Sequence, residues 1–157
     1  MAAEKQPATS NDDDQTRTFN IHRIYTKDLS YESPATPEIF QEQRQPQINL
    51  DLTSEHKTIN QDLYEVVLRV TVEAKIDDQT IFLVETKEAG IFTIKGFKEQ
   101  ELAKLLGSFC PETLFPYARE IISETISRGN FPPLYLSPIN FDAWYQNKLN
   151  PNSQVQT

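Results

Sequence analysis

A chain of 157 residues suits a single hydrophobic core, and its 38% hydrophobic and 24% charged content is that of a globular protein, excluding wholesale disorder and fibrous repeats. Fifteen basic against 23 acidic side chains leave a net charge of −8, which argues against a phosphate-binding surface and a nucleic-acid partner. No apolar run nears the ~18 residues that span a bilayer, Met1 is followed by Ala-Ala-Glu-Lys, and Cys110 as the lone cysteine permits no internal disulfide, so a reducing cytoplasmic site is expected.

Residues 1–17 contain no Val, Ile, Leu or aromatic side chain and predict an acidic tail that cannot offset its own ordering entropy. From Thr18 to Thr26 the chain is rich in β-branched and aromatic residues and predicts a first strand. Pro34, Pro37 and Pro46 in ESPATPEIFQEQRQP (32–46) exclude a central strand and interrupt helices, so this stretch predicts a long crossover loop. Ile48, Leu50 and Leu52 then share one face of a second strand. The clearest strand is 62–76, with Tyr64, Val66, Leu68, Val70, Val72, Ala74 and Ile76 on one side and a mostly wet opposite face. Asp77-Asp78-Gln79 predicts the turn of a hairpin to a fourth strand, 81–95.

Beyond Gly96 the period changes. Leu102, Leu105, Leu106 and Phe109 fit one helix face ended by Pro111. A longer helix follows, with Leu114, Ala118, Ile121, Ile122, Thr125 and Ile126 as its stripe, Pro116 in its first turn and Gly129 as an αL cap. Asn140 is placed to cap a short last helix bearing Phe141, Trp144, Tyr145 and Leu149 on one side. Residues 150–157, broken by Pro151, predict a second flexible tail. Strands before helices point to an α+β fold: a four-stranded antiparallel sheet packed with C-terminal helices in one domain, 18–149.

Catalytic chemistry is mainly absent from the sequence. There is no Gly-rich phosphate loop, no cofactor is expected, and His22 and His56 alone cannot build a three-His zinc site. His22 reads as a half-buried strand residue, and Cys110 as a small buried hydrophobe rather than a nucleophile. An enzyme is therefore not expected. Acidic excess concentrates between residues 18 and 95, with 8 basic and 13 acidic side chains, which suits either a solvated sheet face or a dock for a basic partner. Phe40, Trp144 and Tyr145 fall in a Pro-rich loop and a short terminal helix, where uncovered apolar surface would mark self-association or client binding.

From about Phe19 to Leu149 the chain resembles the SecB protein-export chaperones of Gram-negative bacteria. The likeness is carried by IHRIYTKDLSYESP at 21–34, YEVVLRVTVEA at 64–74, GIFTIKG at 90–96, LFPYARE at 114–120 and SRGNFPPLYLSPINFDAW at 127–144. The resemblance implies a homotetramer built as a dimer of dimers. It also implies an ATP-independent holdase that keeps unfolded precursors translocation-competent and delivers them to the motor SecA. By position it implies client contacts at Phe40, Ile48, Leu50, Leu52, Trp144, Tyr145 and Leu149. A SecA contact is implied at Asp28, Glu32, Leu83 and Glu85, and the dimer–dimer contact on helix 112–128 with Tyr117. The relatives tend to carry Trp where this chain has Arg44. A holdase needs no metal or nucleophile, only apolar grooves that compete with client folding. The competing reading is an acidic oligomeric adaptor without client-holding activity.

Overall fold

The computed structural model describes residues 16–151, and the expected tails therefore lie almost wholly outside the described residues. Arg17, assigned to the first tail, packs over the Phe97 ring at 5.7 Å and lies 3.7 Å from Glu101. Four antiparallel strands follow: β1 (Thr18–Glu32), β2 (Gln47–Asn60), β3 (Leu63–Ile76) and β4 (Gln79–Lys95). They are ordered β1-β4-β3-β2, so the crossover loop carries the chain from one edge of the sheet to the other. β1 and β2 are both longer than their apolar patterns suggest. The second half of β2, TSEHKTIN, is a polar edge held by main-chain pairing to β3 and needs no apolar face.

The inward face of β3 is the one its alternation predicts: Val66, Leu68, Val70, Val72 and Ala74 are fully buried. Phe82, Val84, Phe92 and Ile94 of β4 lie on the same side, as the register requires. The opposite face is less wet than expected. Glu65 is buried there because Tyr25 and Lys27 close on its carboxylate.

The helical layer is one nearly continuous path. α1 (Glu99–Lys104) passes through a π-helical turn, Leu105–Phe109, into α2 (Cys110–Arg128), and α3 (Phe141–Leu149) follows an irregular segment. Pro111 therefore opens α2 instead of ending a helix, at the position where a missing N–H costs least. Pro116 lies in the second turn, not the first, and forgoes the bond to the Glu112 carbonyl. The wider π turn also rotates the apolar face: Leu106 is buried, but Phe109 stays 46% exposed, edge-on to Phe19 at 5.2 Å. Leu114, Ala118, Ile122 and Ile126 of α2 complete the core over β4 and β3.

The end of α2 corrects the expected cap. Gly129 has φ −73°, and the left-handed residue is Asn130 at φ 64°. The Phe131 N–H donates to Ile126 O at 3.3 Å and the Asn130 N–H to Ser127 O at 3.0 Å, a Schellman pairing shifted one residue along. Gly129 is needed for proximity instead, since a Cβ there would lie 2.7 Å from Tyr31 Cζ. Gly129→Ala is expected to cost about 2 kcal/mol by overpacking, read as a lower thermal midpoint. An unchanged midpoint would show that Tyr31 has room to withdraw.

Candidate functional site

Two surfaces, on opposite faces of the sheet, gather most of the residues singled out above. The first is the inward row of β2. Ile48, Leu50 and Leu52 sit opposite Ala74, Val72 and Val70, so they share the core face, yet α2 lies across β4 and β3 and leaves this flank open. Ile48 is 37% and Leu50 43% exposed, while Leu52 is half-buried. At the Ile48 end is a cavity of about 390 Å³ lined by Ile39, Ile48, Ile76, Ile81, Phe82 and Phe131. Phe40 borders it, its ring 5.5 Å from that of Phe131, which lies 5.2 Å from Phe82. Arg44 also lines this cavity, bound to Glu42 at 3.0 Å and Asp77 at 3.1 Å. The Arg44 hydrogen bonds hold the Glu42 carboxyl down at about 2. Sequence reasoning missed Ile39, Ile76 and Phe131 as lining residues; the apolar spots in the Pro-rich segments were the signal for Ile39 and Phe131, and the inward alternation of β3 was the signal for Ile76.

The last-helix trio does not line this cavity. Asn140 caps α3 as expected, its side-chain oxygen accepting from Ala143 N–H at 3.0 Å. Phe141 is buried, Trp144 packs edge-on to it at 5.6 Å, and Lys148 lies 3.7 Å over the indole. Tyr145 lies against Gly107 in the π turn, where a Cβ would come within 2.5 Å of its ring. Ser108 donates to Asp142 at 2.8 Å and fastens the start of the helix. Leu149 is 57% exposed. The α3 residues thus form a second apolar surface beside the π turn, separate from the Phe40–Ile48 end.

The outer face of the sheet brings Asp28, Glu32, Leu83 and Glu85 together. Paired residues share a face, so Glu32, Leu83 and Glu73 form one row across three strands. Ser30, Glu85 and Thr71 form the next row, then Asp28, Lys87 and Arg69. Leu83 is therefore flanked by two glutamates, of which Glu73 was missed because it sat unremarked among the wet residues of β3. Glu85 accepts from Thr71 at 2.9 Å and pairs with Arg69 at 3.1 Å, so its charge is partly countered. Tyr117, 49% exposed on α2, borders a 260 Å³ cavity with Ile24, Thr26, Glu88, Glu120 and Glu124.

Cys110 and His22 do not form a catalytic pair. Burial pushes the Cys110 thiol up to about 12. His22 is exposed rather than half-buried, because it is the extra residue of a β1 bulge and its Nε2 lies 2.6 Å from Thr93 Oγ1. Among the described residues no group of three His, Cys, Asp or Glu side chains could hold a metal ion. None of the described helices is long and apolar enough to cross a membrane.

The family model for the preprotein translocase subunit SecB matches residues 12–152, nearly the whole chain. The chain belongs to the SecB family. It is 47% identical over 147 residues to the protein-export protein SecB of Marinobacter nauticus, covering 94% of this chain and 89% of that one. Among solved structures, a SecB-like chaperone of Mycobacterium tuberculosis in complex with an antitoxin peptide superposes with a TM-score of 0.64 at 17% identity. The match covers 77% of this chain and 90% of that one, a likeness of fold. SecB membership makes this an export chaperone with an α+β fold, in a family of chaperones and not of enzymes.

Proposed function

We propose that this SecB protein is an ATP-independent holdase of the cytoplasm, whose working unit is residues 18–149. It binds extended apolar stretches of unfolded precursors and passes them to SecA. One observation carries the client-binding reading: the Ile48–Leu50–Leu52 row sits on the core side of the sheet but beyond the cover of α2, beside the Phe131-lined cavity. An extended segment laid there buries alternate side chains and finds unpaired main-chain groups along the β2 edge. Phe40 bounds the cavity end, while Trp144, Tyr145 and Leu149 add a second apolar stop at the π turn. Several weak stops on one long client raise overall affinity through effective concentration, more so in a dimer of dimers joined through Tyr117 on α2.

The acidic outer face is the SecA dock in this reading, with Asp28, Glu32 and Glu85 around Leu83 meeting a basic element. Since the two faces are opposite, one molecule can hold client and motor together. The purified protein is expected to suppress aggregation of a diluted, unfolded precursor without nucleotide. Aggregation at the rate of the precursor alone would leave the adaptor alternative standing.

A further inference from the structure

β1 contacts β4 over most of its length, but its side chains do not alternate simply. Thr26 pairs with Glu88 and Asp28 with Lys87, so two steps along β1 match one along β4, and Lys27 is the extra residue of a bulge. Thr26, opposite Glu88, faces the helices. Strict alternation from there would send Asp28, Ser30 and Glu32 inward and Leu29 and Tyr31 outward. The bulge inverts this: Leu29 and Tyr31 pair with the inward Thr86 and Val84, and Asp28, Ser30 and Glu32 pair with Lys87, Glu85 and Leu83 on the outer face. The acidic patch exists in this form only because one residue is inserted at position 27.

That inserted side chain is tethered. Lys27 Nζ lies 2.9 Å from Glu65 Oε1, reaching across β4 from β1 to β3. Glu65 is only 7% exposed, and its other oxygen accepts the Tyr25 hydroxyl, while Lys57 of β2 lies 3.8 Å away. Burial alone would raise the Glu65 carboxyl, but the hydrogen bonds from Tyr25 and Lys27 and the charges of Lys27 and Lys57 outweigh it and hold it low. The anchor is thus a buried carboxylate on the same outer face as the patch. Lys87 and Arg69 also bring positive charge to this face, and of the three Lys27 is the one paired with Glu65.

We propose that Lys27 is a positioning residue for the acidic docking face: its tether to Glu65 pins the β1 bulge and so presents Asp28 and Glu32 beside Leu83 and Glu85. The proposal rests on the SecA reading above. Its test exploits a difference of sign. Lys27→Met removes a positive charge and keeps most of the aliphatic stem, so simple electrostatics makes the face more acidic and SecA binding tighter. Loss of the pinned geometry makes binding weaker instead. SecA affinity of Lys27→Met is expected to fall roughly tenfold, as the few surface contacts offered by Asp28 and Glu32 are lost together. Lys27→Arg is expected to restore it, and precursor holding to be unchanged in both.

A second readout is independent of SecA: amide hydrogen exchange at residues 28–32 is expected to quicken in Lys27→Met and not in Lys27→Arg. Tighter or unchanged SecA binding by Lys27→Met, or unaltered exchange at 28–32, overturns the positioning role. A neutralised Asp28, Glu32 and Glu85 variant that binds SecA like the wild type overturns the docking reading itself, and the two failures are distinct.

Discussion

Placing aspartate at both Ile48 and Leu50 is expected to lower affinity for an unfolded precursor about a hundredfold while leaving the fold intact. Each side chain contributes ~1.5–3 kcal/mol when fully covered by a client, and ~1.4 kcal/mol is a factor of ten, so losing half of that at two sites accounts for roughly ten- to a hundredfold. The acids also present charges that a bound apolar segment would desolvate without a partner. Both positions are over a third exposed in the free protein, so water solvates the new carboxylates and β2 pairing to β3 is undisturbed. Titration of a fluorescent precursor fragment, with circular dichroism and sedimentation as controls, checks the claim. Wild-type affinity in a folded double variant would remove the β2 row from the client site.

The second large effect is expected from Asp28→Asn, Glu32→Gln and Glu85→Gln together. Single exposed pairs contribute ~0–1 kcal/mol, so one neutralisation does little, whereas three should weaken SecA binding by roughly tenfold or more. Glu85 contributes least of the three, since Arg69 at 3.1 Å already counters its charge. The deficit should shrink in salt, because the Debye length falls from ~10 Å at 0.1 M to ~3 Å at 1 M. Precursor holding should survive, as the acids and the β2 row are on opposite faces of the sheet. Titrating SecA at both salt concentrations, with a parallel aggregation assay, decides it. Client binding that falls as far as SecA binding would contradict the division between faces.

The parts of the fold visible in sequence are those where one physical rule acts alone. β3 alternates because a central strand with one buried face has no freedom to do otherwise, and its inward set is the observed one. β1 obeys two rules at once, pairing with β4 and twice shifting phase, at His22 and Lys27, and a period-two reading cannot register an inserted residue. The helical path failed for a related reason: proline was read as a stop at 111, whereas the π turn before it keeps the chain helical and turns Phe109 outward. Gly129 was assigned a backbone role because glycine is the usual αL residue. Its actual constraint is the Tyr31 ring, a partner almost a hundred residues away that no local pattern reveals.

The candidate surfaces divide in the same way. Ile48, Leu50 and Leu52 show their shared face by spacing alone, but that α2 leaves them uncovered is a property of tertiary packing. The grouping of Asp28 and Glu32 with Leu83 and Glu85 depends on strand register, and the same register adds Glu73, which the resemblance did not name.

The lone indole of this chain sits on a short terminal helix. Trp144 belongs to a nine-residue helix, meets Phe141 edge-on and has the Lys148 ammonium against its ring. A helix of that length has little stability of its own, so its ring environment depends on docking against the π turn. Tryptophan emission, excited at the red edge where the tyrosines of the sheet do not absorb, therefore reports the seating of one terminal segment, and a label-free optical titration can follow that segment while ligands are added at either face.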